Sequence, residues 1–123
     1  MKHLAPALAA LALMSFTAAP ARADDSGKAL FQHYCSVCHS SQPDENKLGP
    51  SLAGVVGRAS GTEPGFTYSE GMANAHINWN EQTLDKYLDD PSAVVPGNKM
   101  MFIGVKNPDE RKAIIAYLKS LGS

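Results

Sequence analysis

The sequence predicts an all-α fold of three main helices joined by long loops. Apolar residues recur at helical spacing in three separate stretches, each with start or stop signals. No stretch makes a convincing strand. The segments between the helices, residues 40–78 and 92–106, are rich in Gly, Pro, Asn and Ser. Structureless loops of this length are uncommon in a compact domain unless they wrap around something.

The first helix is expected over residues 26–37. Asp25 or Ser26 can cap it by accepting backbone N–H bonds. Phe31, Tyr34, Cys35 and Cys38 fall on one face. Gly27 lies in the first turn, where a missing side chain lets another helix cross closely. The second helix follows Trp79. Asn80 caps it, Leu84, Tyr87 and Leu88 form its apolar stripe, and it must stop before Pro91. In the last helix Asn107 is the cap and Pro108 fits the first position. Asp109 and Glu110 meet the positive end of the helix dipole. Ile114, Leu118 and Leu121 repeat on one face, and Gly122 ends it.

Residues 1–23 of the 123 stand apart from this pattern. Lys2 and His3 precede an apolar run over residues 7–14, followed by Ser15, Thr17, Pro20 and Ala21-Arg22-Ala23. A basic start, a short apolar core and an A-x-A site make a secretory signal peptide. The run is too short to span a bilayer, which takes about 20 apolar residues. An uncleaved amphipathic anchor is the lesser alternative, because small residues follow the run at once. The expected organisation is a cleaved signal peptide over 1–23 and one soluble periplasmic domain over 24–123. That domain carries nine basic and twelve acidic residues. Its negative balance excludes the clustered basic footprint of a nucleic-acid-binding protein. A domain of this size has little core for its surface, and all ten glycines of the chain fall within it.

The two cysteines, Cys35 and Cys38, are followed by His39. C-x-x-C-H is the attachment sequence of haem c. Two thiols so spaced can each add to a vinyl group of one porphyrin. The next residue then points its imidazole under the ring, where a nitrogen meets the iron. A thioredoxin-like dithiol would need a βαβ context, which is not visible. A structural zinc site needs four ligands, so His33 and His76 would have to join the set. A disulfide between cysteines this close would close a tiny strained loop. Export, the helix and the adjacent histidine together favour haem.

A six-coordinate iron needs a ligand from the other side. The domain offers Met72, Met100 and Met101. The Pro96-Gly97 turn can bring a thioether back over the ring. On these grounds Met100 and Met101 are barely separated, and any lone methionine can be core filler. His33 and His76 could formally ligate, but their polar surroundings favour a surface role.

Residues 24–123 resemble the class I cytochromes c, the mitochondrial type and its bacterial c-two relatives, over nearly their whole length. The resemblance rests on several motifs in order. Cys-Ser-Val-Cys-His at 35–39 is the attachment site, and Leu48-Gly49-Pro50 looks like the turn behind the proximal histidine. Gly54-Val55-Val56-Gly57-Arg58 and Pro64-Gly65-Phe66-Thr67-Tyr68 look like the loop under the propionates. Trp79, Thr83-Leu84, Tyr87-Leu88 and Pro91 follow. Pro96-Gly97-Asn98-Lys99-Met100 matches the axial methionine loop, and Ile115-Ala116-Tyr117-Leu118 the last helix.

The resemblance implies the class I fold around one covalent haem c, with thioethers to Cys35 and Cys38. It selects Met100 over Met101 as partner to His39 on the iron. It implies that the Pro50 carbonyl accepts the His39 Nδ1–H and that the Tyr87 hydroxyl lies near the Met100 sulfur. Arg58, Tyr68, Trp79 and Asn98 are implied to meet the haem propionates. Gly27 and Phe31 are implied to meet Tyr117 and Leu118 where the end helices cross. His/Met ligation fills both axial positions and favours Fe(II). That implies an electron carrier rather than an enzyme, with no catalytic residues. A haem peroxidase and a haem-free dithiol or zinc protein are the alternatives.

The expected partners are redox proteins: a cytochrome bc complex, a reaction centre, an oxidase, or a periplasmic dehydrogenase or reductase. The protein is expected to act as a monomer. Electrons would pass through the haem edge near Cys38 and the Met100 loop. Mitochondrial members ring that edge with lysines. Lys47, Lys99 and Lys106 remain here, while Ser92 and Ala93 stand where lysines are usual. Tyr34 and Met72 also depart from the mitochondrial pattern, and the loop between Cys38 and Pro50 is shorter. Only a modest salt dependence of docking is therefore expected.

Overall fold

A computed structural model describes residues 1–5, 10, 12–19 and 23–122. Ala21 and Arg22 of the expected cleavage site, and part of the apolar run before it, lie outside the described residues. Five helices are present among those described: α1 (Ala23–Tyr34), α2 (Glu70–Ala73), α3 (Glu81–Asp89), α4 (Pro91–Val94) and α5 (Pro108–Ser120). β pairing among them amounts to one isolated bridge between Ala59 and Asn78. No helix among them is long and apolar enough to cross a membrane.

The local signals at α3 and α5 work as expected. Asn80 Oδ1 accepts from the Thr83 amide at 2.9 Å, and Thr83 Oγ1 accepts from the Asn80 amide at 2.8 Å. This reciprocal pair opens α3. The helix stops at Asp89, clear of Pro91. Asn107 Oδ1 accepts from the Asp109 and Glu110 amides at 2.9 and 3.4 Å, and Pro108 takes the first position of α5.

The first helix differs from expectation at both ends. It begins at Ala23, so Asp25 and Ser26 lie inside its first turn and do not cap it. It ends at Tyr34 rather than at residue 37. There the Phe31 carbonyl accepts from both the Cys35 and Ser36 amides, at 2.8 and 3.0 Å. The second of these spans one residue too many for an α-helix, so the turn widens and the helix is lost. The Cys35 carbonyl then accepts from the Cys38 and His39 amides at 3.1 and 2.9 Å. The cysteines therefore sit on tight turns just beyond α1.

Two single-turn helices interrupt the predicted loops. The Ser69 hydroxyl caps α2 by accepting from the Met72 amide at 3.1 Å. The Asp90 carboxylate caps α4 by accepting from the Ala93 amide at 3.3 Å, with Pro91 at its first position.

The core forms where α1 crosses α5 and α3 packs beside it. Gly27 is the point of closest approach. A side chain there would strike the Ala113 carbonyl and lie 2.8 Å from Tyr117 Cβ. One turn on, the Phe31 and Tyr117 rings stack tilted at 5.3 Å. Ile114, Ile115 and Leu118 are buried from α5, and Leu84, Tyr87 and Leu88 from α3. Burying one such aliphatic side chain contributes about 1.5–3 kcal/mol. Arg111 pins α5 to α3: its Nε meets Asp85 at 2.8 Å and its Nη1 meets Asp89 at 3.5 Å. The same Nη1 donates to the Val105 and Lys106 carbonyls at 2.9 and 3.1 Å, which anchors the segment that follows Met100.

Candidate cofactor site

The turn after α1 presents three donor atoms in five residues. His39 Nδ1 lies 2.7 Å from the Pro50 carbonyl. A carbonyl only accepts, so Nδ1 carries the proton and the lone pair sits on Nε2. Burial pushes the His39 pKa down, against the opposing pull of the Pro50 bond, and this favours the neutral ring. A neutral imidazole with one nitrogen tied back to a carbonyl is the usual state of a metal-ligating histidine. Gly49 makes the tie possible. A side chain there would collide with the His39 ring itself, and the Gly49 amide donates to the Cys38 carbonyl at 2.8 Å.

Cys35 and Cys38 are both half-buried and not joined in a disulfide. Burial, with a smaller contribution from Cys38, pushes the Cys35 thiol up to about 12. Reactive dithiols instead hold a thiol below its ordinary value. Among the described residues, no three His, Cys, Asp or Glu side chains are grouped to hold a metal ion. His33 lies edge-on to Tyr34 with ring centres 4.6 Å apart, and His76 is exposed.

The two adjacent methionines part company. Met100 is half-buried against the core, whereas Met101 is fully exposed. Asn98 sets this arrangement. Its Oδ1 accepts from the Met100 amide at 2.8 Å, and its Nδ2 donates to the Val95 and Pro91 carbonyls at 2.9 and 3.2 Å. These bonds make Asn98 a shaping residue of the loop that presents Met100.

Arg58 lies in the long loop before α2. Its Nη1 pairs with Glu63 at 2.8 Å, and its Nη2 donates to the Ser51 carbonyl at 2.9 Å. Both side chains of the pair are largely buried. Arg58 Nε is buried and has no protein partner. The Tyr68 hydroxyl accepts from the Glu63 amide at 3.0 Å, which brings Tyr68 into the same cluster. Trp79 and Tyr87 are buried with ring centres 4.9 Å apart. Burial alone pushes the Tyr87 hydroxyl up to about 12, so it stays protonated.

These residues fit a haem. The thiols, the lone pair on His39 Nε2 and the half-buried Met100 thioether supply soft and imidazole donors. The orphaned guanidinium nitrogen of Arg58 would otherwise be a cost, since a buried charged donor needs a partner. A propionate carboxylate suits it.

Some contributors carry no periodic signal in the sequence. Asn46 closes the loop behind His39: its Oδ1 accepts from the Ser51 amide and its Nδ2 donates to the Pro64 carbonyl, both at 3.0 Å. Tyr34 donates to Glu110 of α5, and Lys47 Nζ donates to the Ser36 carbonyl at 2.6 Å. Asn and Gly richness marks such a loop, but it does not say which asparagine pairs where.

Comparison with known proteins agrees with this geometry. The cytochrome c family profile matches residues 25–122. The chain is similar to cytochrome c2 iso-2 of Magnetospirillum molischianum, at 54% identity over 71% of this chain and 90% of that protein. It is similar to cytochrome c2 of Rhodomicrobium vannielii, at 43% identity over 96% of this chain and 95% of that protein. Among solved structures, cytochrome cH from Methylobacterium extorquens superposes with a TM-score of 0.74 at 36% identity, covering 79% of this chain and 97% of that one. Fold, attachment pattern and relatives agree: this chain belongs to the cytochrome c family, as a class I all-α electron-transfer protein with one covalent haem c and no enzymatic role.

Proposed function

We propose that the protein is a periplasmic shuttle for single electrons, exported by a signal peptide over residues 1–23, with a low-spin haem iron held between His39 and Met100. Cys35 and Cys38 form the thioethers. Arg58, Tyr68, Trp79 and Asn98 meet the propionates, and the Tyr87 hydroxyl lies near the Met100 sulfur. The bound haem supplies one reversible one-electron step.

The carrying observation is the division of labour at His39 and Met100. Pro50 fixes the proton on Nδ1 and leaves Nε2 to ligate. Asn98 turns the half-buried Met100, not the exposed Met101, toward the core. A filled coordination sphere changes little on electron transfer, and a thioether ligand raises the potential. Redox proteins are the partners: a cytochrome bc complex, a reaction centre, an oxidase, or a periplasmic dehydrogenase or reductase.

The test is protein matured in a host with working haem-attachment machinery and recovered from the periplasm. Its mass is expected to equal residues 24–123 plus one haem. Its ferric spectrum is expected to carry the weak methionine–iron charge-transfer band, lost in Met100→Ala and kept in Met101→Ala. A bare polypeptide mass, or a band that survives Met100→Ala, would overturn the reading.

A further inference from the structure

The ion pairs among the described residues are of two kinds. The side chains of Asp85, Asp89 and Glu81 are 48%, 51% and 61% exposed, so water weakens their pairing with α5 and with Lys106. The Glu63 side chain is only 9% exposed, and that of its partner Arg58 is 16% exposed. A carboxylate so enclosed is costly unless opposite charge and hydrogen bonds hold it. It is also where a charge acts most strongly on its surroundings, because water does not screen it.

Backbone bonds fix Glu63 in this place. The Glu63 amide donates to the Tyr68 hydroxyl at 3.0 Å. The turn that carries the pair is laid along Trp79: the Gly57 amide donates to the Trp79 carbonyl at 2.7 Å, and the Trp79 amide to the Arg58 carbonyl at 3.0 Å. Arg58 and Glu63 therefore face each other across a closed turn that also holds Tyr68 and Trp79. The guanidinium reaches the proximal side as well. Its Nη2 donates to the Ser51 carbonyl at 2.9 Å, and Ser51 directly follows Pro50, whose carbonyl holds His39 Nδ1.

Arg58 carries one positive charge, and Glu63 already offsets it. A propionate on the buried, unpartnered Nε would bring a second carboxylate to the same guanidinium. The cluster then holds one negative charge in excess, away from water. Fe(III) carries one more positive charge than Fe(II), so a buried anion nearby favours the oxidised form. We propose that Glu63 tunes the reduction potential of the carrier, holding it down by keeping part of the Arg58 charge from the propionate. Glu63 touches neither ligand of the iron and acts through Arg58. This inference rests on the reading of Arg58 at a propionate, and it names the residue that limits how far that contact favours the reduced haem.

The test is an equilibrium redox titration of the holoprotein, read from its absorption spectrum. Glu63→Gln keeps the shape of the side chain and removes its charge. It is expected to shift the equilibrium toward the reduced form about tenfold, which is about 59 mV for a one-electron couple. Glu63→Asp keeps the charge and is expected to return most of that shift. Glu70→Gln removes an exposed charge at the start of α2, where salt screens it, and is expected to change the equilibrium less than about twofold. The methionine–iron band is expected to stay in all three variants. A Glu63→Gln value within about twofold of the wild type would overturn the proposal. So would an equal shift in Glu70→Gln, or a shift that comes with loss of the band. In the Glu63→Gln background, Arg58→Gln is expected to move the equilibrium back toward the oxidised form. No movement there would overturn the placing of Arg58 at a propionate. A wild type without a reversible one-electron couple would instead overturn the shuttle reading itself.

Discussion

The Tyr34 hydroxyl donates to Glu110 Oε2 at 3.0 Å, tying the end of α1 to the first turn of α5. The bond to Glu110 pushes the Tyr34 pKa up, helped by burial and by the charge of that carboxylate. Raising the folded value means the contribution of this pair is full below the ordinary tyrosine pKa, near 10. It is lost as pH rises through the raised value. In ring-labelled NMR titrations, Tyr34 is expected to ionise above an unperturbed tyrosine and to move back in Glu110→Gln. Stability of the wild type is expected to fall more steeply above about pH 10 than that of Tyr34→Phe. Indistinguishable slopes would mean that the bond contributes nothing.

Gly27→Ala is expected to push α1 away from α5. The added methyl would meet the Ala113 carbonyl and Tyr117 Cβ, and backbone cannot step aside as a side-chain tip can. Overpacking of this kind costs about 1–3 kcal/mol. Denaturant unfolding of the holoprotein measures it. The same substitution at Gly57, which has open space around it but a φ of 94°, separates steric collision from backbone strain.

Asn98→Ala removes the acceptor of the Met100 amide and the donor to two carbonyls. The variant is expected to lose about 1–3 kcal/mol, as buried backbone groups are left unpaired. It should lose the methionine–iron band at lower temperature than the wild type. Met101→Ala, a change at a fully exposed side chain, is expected to stay within about 0.5 kcal/mol of the wild type.

Arg58→Leu leaves the Glu63 carboxylate buried without its partner. Breaking a buried pair from one side costs about 3–5 kcal/mol. Adding Glu63→Gln is expected to return much of that loss. A double variant no more stable than Arg58→Leu would place the cost in the carbonyl contacts to Ser51 and Ala53 instead.

The parts of the fold that were legible in the sequence are those fixed by near neighbours. Asn80 and Asn107 are caps whose partners, the Thr83 amide and the Asp109 and Glu110 amides, lie within three residues. The crossing at Gly27 was legible because a glycine in a first turn has few other uses. The end of α1 was not, because it depends on Phe31 sharing one carbonyl between two amides. Helices α2 and α4 span four residues each, too few for periodicity to register. At the site, the C-x-x-C-H spacing pointed to haem from residues alone, while the choice of Met100 and the role of Pro50 came by resemblance. The bonds by which Asn98 shapes the Met100 loop were not legible, because a polar side chain in a loop has many possible partners. Tyr34 with Glu110, and Arg111 with Asp85, join residues far apart in the chain, and no local pattern marks them.

Gly27 and Ala113 stand near opposite ends of the folded chain, and their contact closes the core. The decisive packing of the domain therefore joins residues far apart in sequence, and it is the last that synthesis makes available. A polypeptide cut before Ala113 retains the haem-attachment turn but lacks the Ala113 backbone that meets Gly27 and the Tyr117 ring that lies against Phe31. Completion of the C-terminus is what distinguishes a finished molecule from one open to proteolysis.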